Sequence, residues 1–180
     1  LADTDPLTQI WNRRAFDKAM TRLYSDRRGI LFGALILADI DRFKDVNDRH
    51  GHPVGDKILQ HVARIFKASS TANMFVARTG GEEFAIIVDG LTEAATVALA
   101  DDVRTIVSKT PFIGADMPGS SITISLGVCM ASEADSPEDL YAKADRALYA
   151  SKLSGRNRVT KYPVPGTPGL RKNWMLYRTE

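Results

Sequence analysis

The sequence predicts an α+β domain with a central antiparallel sheet flanked by helices. The first observation is the order of apolar patterns between residues 31 and 130, which is strand, helix, strand, strand, helix, strand. The second is the continuous apolar run at 31–38, typical of a central strand buried on both faces. The third is the alternation at 122–130, typical of a half-buried strand. This βαββαβ order is that of the ferredoxin-like split unit.

Each element has its own local pattern. Helices are predicted where apolar residues recur three and four positions apart, and strands where β-branched or alternating runs are short. The pair Ser136-Pro137 marks the start of the last helix, because serine caps a helix and proline fits its first turn. The predicted elements are a helix over 12–28, a strand at 31–38, a helix through 58–66 that starts near Pro53, strands at 74–78 and 84–88, a helix over 93–108, a strand at 122–130, a helix from 137 and an edge strand within 155–162. We assign 1–162 to the domain, and 163–180, rich in proline and glycine, to a C-terminal tail or linker.

Composition limits the classes of function. The 180 residues are 44% hydrophobic and 26% charged, and the net charge is +2, so neither a nucleic-acid partner nor membrane contact by this domain is expected. The single cysteine, Cys129, excludes an intrachain disulfide, and we interpret it as a packing residue. We expect a cytoplasmic domain cut from a longer protein, whose upstream part could carry a membrane anchor.

Three carboxylates are expected at one edge of the sheet. In the split topology the first and third strands pair antiparallel, so the end of the first lies beside the start of the third. Asp39 ends the first strand, and Glu82 and Glu83 open the third. Close like charges favour a cation, and oxygen ligands suit Mg²⁺ or Mn²⁺. The alternative is a solvated acidic hairpin, although Gly80 and Gly81 favour a ligand because they allow close approach to the backbone.

The polar segment 39–56 suggests a nucleotide site. Asn47 offers a donor and an acceptor, and Asp56 accepts paired N–H groups such as those of guanine. Lys44 could meet a phosphate. The same residues are also compatible with a solvated crossover that is rich in turn formers.

Two cations near the end of the last helix allow two interpretations. Lys152 and Arg156 could complement the helix dipole, or they could hold phosphate groups. No P-loop sequence is present, so any nucleotide is held by another arrangement. We do not expect His50, His52 and His61 to bind metal, because the first two are expected in a Gly/Pro-rich loop and the site is rich in oxygen ligands.

Four segments in order resemble the GGDEF-domain diguanylate cyclases. The stretch "RTGGEEF" is similar to the family signature, in the variant with Glu at its third position. The other matching segments are "DPLTQIWNRRAF", "DIDRFKDVND" with "GHPVGD", and "ADRALYASKLSGRNRV". Together they run from about residue 5 to 159, which is far more specific than an isolated "GGEEF". The resemblance implies a fold like that of nucleotidyl cyclases and polymerase palm domains.

The resemblance also implies an activity. Two domains meet as a homodimer, each with one GTP and its magnesium ions, and condense the two GTP molecules into cyclic di-GMP with release of two pyrophosphates. An N-terminal sensor or receiver domain would control this pairing in bacterial signalling. Two alternatives stay open, namely a weakly active or inactive GTP-binding regulatory module, and a cyclase that uses adenine as well as guanine.

Residue roles follow from the same resemblance. Metal binding is implied for Asp39, the carbonyl of Ile40 and Glu82, with Glu83 in support. Catalytic roles are implied for Glu82 as proton acceptor and for Lys44 as transition-state stabiliser. The residues implied to bind GTP are Asn47, His52, Asp56, Gly80, Gly81, Lys152 and Arg156.

The sequence departs from the family pattern in two places. The usual product-inhibition motif is Arg-x-x-Asp, and Thr71 and Met74 occupy those positions here. We therefore predict no feedback inhibition through that site. Thr79 replaces the commoner aromatic residue before the glycines, and Gln9 replaces a commoner glycine. Neither change affects an implied catalytic role, so activity is expected to persist.

Overall fold

The elements surround one central sheet. The structure is a computed structural model, and it describes residues 2–114 and 117–165. Within these residues the helices are α1 (Arg13–Leu23), α2 (Arg27–Phe32), α3 (Phe43–His50), α4 (His52–Ser69), α5 (Glu93–Lys109) and α6 (Pro137–Leu153). The strands are β1 (Gly33–Ile40), β2 (Met74–Arg78), β3 (Glu83–Asp89), β4 (Phe112–Gly114), β5 (Met117–Ser120), β6 (Ile124–Met130) and β7 (Val159–Lys161).

The predicted topology is confirmed. The main sheet has the order β2-β3-β1-β6-β7, with β1 antiparallel to both β3 and β6. The predicted edge strand is β7, which pairs parallel with β6. A small second sheet of β4 and β5 was not predicted, because these strands are too short to show alternation. The ferredoxin-like α+β core is therefore present, with one added parallel strand and one added hairpin.

Helices cover both faces of the sheet. On one face Ile36 and Phe84 pack against Phe66 of α4, and α5 completes this core. On the other face Leu37 packs in a second core with Phe16 of α1 and Leu148 of α6. Burial on both faces explains why β1 is apolar at nearly every position.

The prediction that residues 122–130 form a half-buried strand was wrong. Every residue of β6 is buried, because α6 covers the face that carries the small and polar residues. A Cβ atom at Gly127 would lie 2.2 Å from the backbone nitrogen of Leu148, so only glycine fits there. Cys129 is fully buried, which agrees with its interpretation as a packing residue, and burial raises the pKa of its thiol to about 12.

The N-terminal boundaries also differ from the prediction. The single helix expected over 12–28 is two helices, because α1 ends at Leu23 and the Asp26 side chain caps α2 by accepting from the Gly29 N–H at 2.7 Å. The strand expected at 31–38 begins later, so that Leu31 and Phe32 lie in α2, about half exposed. It also ends later, at Ile40, so Asp39 is the second-to-last residue of β1 rather than its end.

The segment 39–56 is more ordered than predicted. It forms α3 and the start of α4, and the two helices meet at Gly51, whose φ of 88° favours glycine. His50 therefore ends α3 and His52 begins α4, which corrects their expected position in a loop. A Cβ atom at Gly55 would lie 1.9 Å from Oδ1 of Asn47, so this glycine lets the two helices pack closely.

Most of the predicted tail, 163–180, lies outside the described residues, which end at 165. Within the part of the chain that the structure describes, no helix combines the length and the apolar character needed to cross a bilayer.

Candidate functional site

The centre of the candidate site is the buried carboxyl group of Asp39. Its Cα pairs with that of Glu83 across the β1–β3 ladder, and the neighbouring Ile40 N–H donates to the Glu82 carbonyl at 3.3 Å. The predicted convergence of the two strand ends is therefore present in the backbone. The Asp39 side chain is only 13% exposed. Lys152 of α6 donates to its Oδ2 atom, whereas Oδ1 is buried without a hydrogen-bond partner.

The electrostatic environment of Asp39 is short of positive charge. Burial raises the pKa of its carboxyl group to about 7, and the ammonium group of Lys152 only partly opposes this effect. The negative charges of Glu82 and Glu83 raise that pKa further. An additional cation beside the free Oδ1 atom would relieve both the desolvation and the repulsion. The donor chemistry at this point thus fits a hard divalent ion such as Mg²⁺ or Mn²⁺.

Glu83 is held in place by side chains that the sequence analysis did not identify. Its Oε1 atom accepts from the Thr79 hydroxyl at 3.0 Å and from the Tyr141 hydroxyl of α6. The guanidinium group of Arg13 lies 5.1 Å from the centre of the Tyr141 ring. Thr79, one of the departures from the family pattern, thus supplies a hydrogen bond where an aromatic ring is commoner.

The Gly80-Gly81 turn is fixed by Arg78. Its Nε atom donates to the carbonyls of Gly80 and Gly81 at 3.2 and 3.0 Å, and Nη2 donates to Gly81 at 2.9 Å. The same guanidinium group pairs with Asp5 at 3.2 Å. Neither glycine has a positive φ, and a Cβ atom at Gly81 would meet nothing within 4 Å. The turn therefore needs no glycine for its own conformation, and the missing side chains leave open space beside it.

The side chains do not yet form a metal-ligand cluster. Among residues 2–114 and 117–165, no three His, Cys, Asp or Glu side chains are placed to hold one ion. The contacts explain this result, because Lys152 holds Asp39 while Thr79 and Tyr141 hold Glu83. The backbone supports the predicted convergence of the two strand ends, but the side chains of Asp39 and Glu83 are held by different partners.

The predicted nucleoside contacts lie where α3 meets α4. Asn47 is half-buried, and its Oδ1 atom is buried without a hydrogen-bond partner. His52 and Asp56 are exposed on the first turns of α4, and Lys44 is exposed on the first turn of α3. No hydrogen bond or ion pair of the described residues joins these side chains to Asp39. They form a second group on the segment that leaves the same strand.

The predicted phosphate contacts lie at the end of α6. Lys152 belongs to its last turn and reaches Asp39, and Arg156 is exposed in the turn that follows. The carboxylate of Asp41 accepts a hydrogen bond from the Asn157 N–H at 3.0 Å, so this turn is tied to the segment that follows β1. Asp41 was not singled out by the sequence analysis.

Comparison with known proteins decides the family. Residues 2–158 match the family model described as "Diguanylate cyclase, GGDEF domain". The chain belongs to the GGDEF family. The probable diguanylate cyclase DgcT of Escherichia coli (strain K12) is 37% identical over 164 residues, which are 88% of this chain and 35% of DgcT. The chain thus spans about a third of the length of that curated relative.

Solved GGDEF domains have the same fold. The GGDEF domain of DgcB from Caulobacter crescentus, in complex with c-di-GMP, is 34% identical, with a TM-score of 0.83 over 91% of this chain and 95% of that one. The active GGEEF domain of a diguanylate cyclase from Vibrio cholerae is 30% identical, with a TM-score of 0.78 over 87% of this chain and 100% of that one. Both the family and the α+β fold predicted from the sequence are therefore confirmed.

The position of the family's product-inhibition motif has no charged pair in this GGDEF domain. Thr71 is exposed, and its carbonyl accepts from the Met74 N–H at 3.1 Å in the turn before β2. Met74 packs against the core and, together with Trp11 and Val76, lines a shallow cavity of about 270 Å³. Neither side chain at the motif positions can supply a guanidinium or a carboxylate group.

Several supporting residues could not be found from sequence patterns. Tyr141 lies on a helix face with no motif, and its partner Glu83 is 58 positions away. Asp5 and Arg78 are 73 positions apart. The local signal for Asp5 and Arg78 was that each lies in a segment that resembles the family. That signal does not indicate that the two residues contact each other.

Proposed function

We propose that this GGDEF domain is a diguanylate cyclase, which condenses two GTP molecules into cyclic di-GMP and releases two pyrophosphates. The observation that carries the proposal is the partnerless, buried Oδ1 atom of Asp39 beside Glu83, which opens β3, and Glu82, which precedes it. Such a site favours a cation, and Gly81, which precedes the two glutamates, has open space where a side chain would be. The family match and the names of the curated relatives support the same reaction.

The proposed mechanism assigns a role to each group near the strand ends. Asp39, the carbonyl of Ile40 and Glu82 would hold Mg²⁺ or Mn²⁺, with Glu83 in support. The bound ion would neutralise charge that develops on the phosphates. Glu82 accepts the proton of the 3′-hydroxyl, whose oxygen forms a bond to the α-phosphorus of the other GTP. The bond from that phosphorus to pyrophosphate breaks in the same displacement.

The cations orient the nucleotide and stabilise its charge. Lys44, in the first turn of α3, stabilises the transition state, and Lys152 and Arg156 hold the terminal phosphates. These side chains lie on three separate segments, so binding one GTP joins α3, the end of α6 and the turn after it. Positioning and charge neutralisation carry most of the catalysis in such phosphoryl transfers.

Guanine selectivity is proposed for the group at the α3–α4 junction. The free Oδ1 atom of Asn47 can accept a hydrogen bond, and the carboxylate of Asp56 suits the paired N–H donors of guanine. His52 is exposed beside them and would contact the nucleoside. A carboxylate would instead repel the ring acceptor that adenine presents. In an equimolar mixture of GTP and ATP, we expect only guanine-containing product by mass.

Catalysis requires two copies of the domain in this proposal. Each domain holds one GTP, and the two nucleotides must face each other for both displacements to occur. The reaction rate should therefore rise faster than linearly with protein concentration. A domain upstream in the full-length protein would control this pairing, as a sensor or receiver domain does by bringing two copies together.

The direct test is incubation with GTP and Mg²⁺ over a range of protein concentrations, with products identified by mass. Glu82→Ala should reduce cyclic di-GMP formation about a hundredfold or more while the fold is retained. Glu138→Ala is the matched control, because this glutamate is exposed at the start of α6, away from the strand ends. Equal product from the Glu82→Ala variant and the unmodified protein would refute the assignment.

The second candidate function is a GTP-binding regulatory module with little or no catalysis. It is favoured by the contact of Lys152 with Asp39, which occupies one oxygen of the proposed metal ligand. This function predicts that GTP binds without turnover at any protein concentration, and that Glu82→Ala changes neither binding nor product. Measurable cyclisation that depends on Glu82 would exclude it.

A further inference from the structure

Asp41 is the second acidic residue of an Asp-x-Asp pair, and both of its carboxylate oxygens are already in use. Oδ1 accepts from the Ser125 hydroxyl at 2.6 Å, and Oδ2 accepts from the Thr123 hydroxyl at 2.8 Å. Oδ2 also accepts from the backbone N–H of Asn157 at 3.0 Å. With three donors directed at it, the carboxylate serves a local structure rather than the proposed metal site.

The turn that Asp41 contacts has an unusual backbone. Gly155, Arg156 and Asn157 have φ values of 115°, 63° and 46°, so three consecutive residues lie in the left-handed region. Glycine adopts this conformation freely and asparagine tolerates it, so the cost, about 1 kcal/mol or more, falls mainly on Arg156. Such a backbone persists only where the surrounding contacts determine it.

Several hydrogen bonds fix this turn. The Arg156 N–H donates to the Ser151 carbonyl at 3.0 Å, and the Arg158 carbonyl accepts from the Leu126 N–H at 2.9 Å. Arg104 donates to the side-chain oxygen of Asn157 at 3.0 Å. The hydrogen bond from the Asn157 N–H to Asp41 is the one among these that connects the turn to the segment after β1 and so to Asp39.

We propose that Asp41 is a positioning residue, which holds the turn at 155–157 so that Arg156 faces the terminal phosphates of GTP. The inference rests on the proposed function, because it assumes that Arg156 contacts those phosphates. Asp39 and Asp41 are two residues apart, so one short segment sets the distance between the metal ligand and the phosphate clamp. Asp39 would thus act on the α-phosphate end of GTP through the metal ion, and Asp41 would act on the terminal phosphates through Arg156.

The test compares two nucleotides that differ in their terminal phosphates. One is a GTP analogue with a methylene group between the α and β phosphates, which cannot release pyrophosphate, and the other is GMP. Asp41→Asn replaces an acceptor oxygen by an N–H₂ group and removes the charge that holds the turn. We expect this variant to bind the GTP analogue about tenfold more weakly and GMP unchanged, because GMP lacks the phosphates that Arg156 would contact.

A double-mutant cycle with Arg156→Ala separates positioning from general damage. If Asp41 acts through Arg156, adding Asp41→Asn to Arg156→Ala should cause no further loss of affinity for the analogue. Independent losses that multiply would overturn the proposal. Equal weakening of GMP and of the analogue by Asp41→Asn would also overturn it, because that result would indicate a general disturbance of the site.

A matched pair of variants covers the case in which Asp41→Asn does not fold. Thr123→Ser keeps the hydroxyl group that donates to Asp41, and Thr123→Val removes it while keeping the size of the side chain. We expect Thr123→Ser to bind the analogue like the unmodified protein and Thr123→Val to bind it several-fold more weakly, with GMP affinity unchanged for both. Identical behaviour of the two variants would contradict the proposal. If the unmodified protein binds GMP and the analogue equally tightly, Arg156 makes no phosphate contact and the proposed role fails. If it binds neither nucleotide, the proposed function itself fails.

Discussion

The ionised carboxyl group of Asp39 should destabilise the protein when no metal is bound, and Asp39→Asn should therefore stabilise it. Burial raises the pKa of this group from an ordinary value of 3.8 to about 7. At about 1.36 kcal/mol for each pKa unit, the shift corresponds to about 4 kcal/mol. This shift already includes the opposing attraction of Lys152, and burial of the polar asparagine amide still has a cost, so we expect a gain of about 1–3 kcal/mol in the free energy of unfolding at pH 8.

The pH dependence follows from the direction of the shift. The folded state binds the Asp39 proton more tightly than the unfolded state, so between about pH 4 and pH 7 the free energy of unfolding falls as pH rises. Above pH 7 this contribution is constant, and below pH 4 it vanishes. Asp39→Asn removes the titration, so its stabilising effect should be small at pH 4.5 and complete at pH 8.

Urea denaturation in the presence of EDTA measures both effects. Asp102→Asn is the control, since Asp102 is exposed on α5 and its replacement should leave the pH dependence unchanged. Addition of Mg²⁺ should then stabilise the unmodified protein more than the Asp39→Asn variant. A variant less stable than the unmodified protein at pH 8 in EDTA, or a difference independent of pH, would refute the reasoning.

Three further predictions concern other parts of the domain. Asp5→Ala removes the partially buried partner of Arg78 and should lower the free energy of unfolding by about 1–2 kcal/mol. It should also loosen the Gly80-Gly81 turn and so lower kcat. Unchanged kcat and unchanged stability would contradict this. Gly127→Ala should destabilise by about 3 kcal/mol or more in urea denaturation, because its Cβ atom would meet α6 backbone at 2.2 Å, and a loss below 1 kcal/mol would contradict this. Cyclic di-GMP should not inhibit the unmodified protein through Thr71 and Met74. The double variant Thr71→Arg, Met74→Asp should therefore show product inhibition in an initial-rate assay. Inhibition of equal strength in the unmodified protein and the double variant would argue against this prediction.

The order of elements could be predicted because it depends on patterns that are local in the chain. The pairing of β1 with β3 follows from that order, and with it the neighbouring positions of Asp39 and Glu83. The short helices could not be predicted, because single residues determine them. Asp26 caps α2, and Arg42 precedes α3 in a left-handed conformation. Neither residue forms a periodic pattern, and the adjacent apolar run at 31–38 matched a strand equally well.

The polar contacts of the candidate site could not be predicted for a different reason. The contacts between different elements join distant parts of the chain: 58 positions separate Glu83 from Tyr141, and 116 separate Asp41 from Asn157. Sequence identifies such side chains as capable donors or acceptors, but the partner depends on how helices pack on the sheet. The family resemblance supplied roles for the residues near the ligand and none for the residues that hold them.

Helix α6 explains why adjacent strands bring carboxylates together without forming a finished metal site. Asp39 and Glu83 are cross-strand neighbours, so their Cβ atoms are about 5 Å apart. Their partners, Lys152 and Tyr141, are about three turns apart on α6, or about 16 Å along its axis. These two long side chains draw the carboxylates toward opposite ends of the helix.

This arrangement limits the repulsion between the two acids in the absence of ligand. Under the proposed function, a metal ion bound at Asp39 replaces the positive charge of Lys152, which becomes available for the terminal phosphates of the same nucleotide. Asp39 exchanges Lys152 for the metal ion, and Lys152 exchanges Asp39 for the phosphates, so binding leaves neither buried charge without an opposite charge beside it. Glu83 needs no such exchange, because the neutral Tyr141 hydroxyl can remain its donor in both states. The different partners of Asp39 and Glu83 therefore match the different roles proposed for them, a direct ligand and a support.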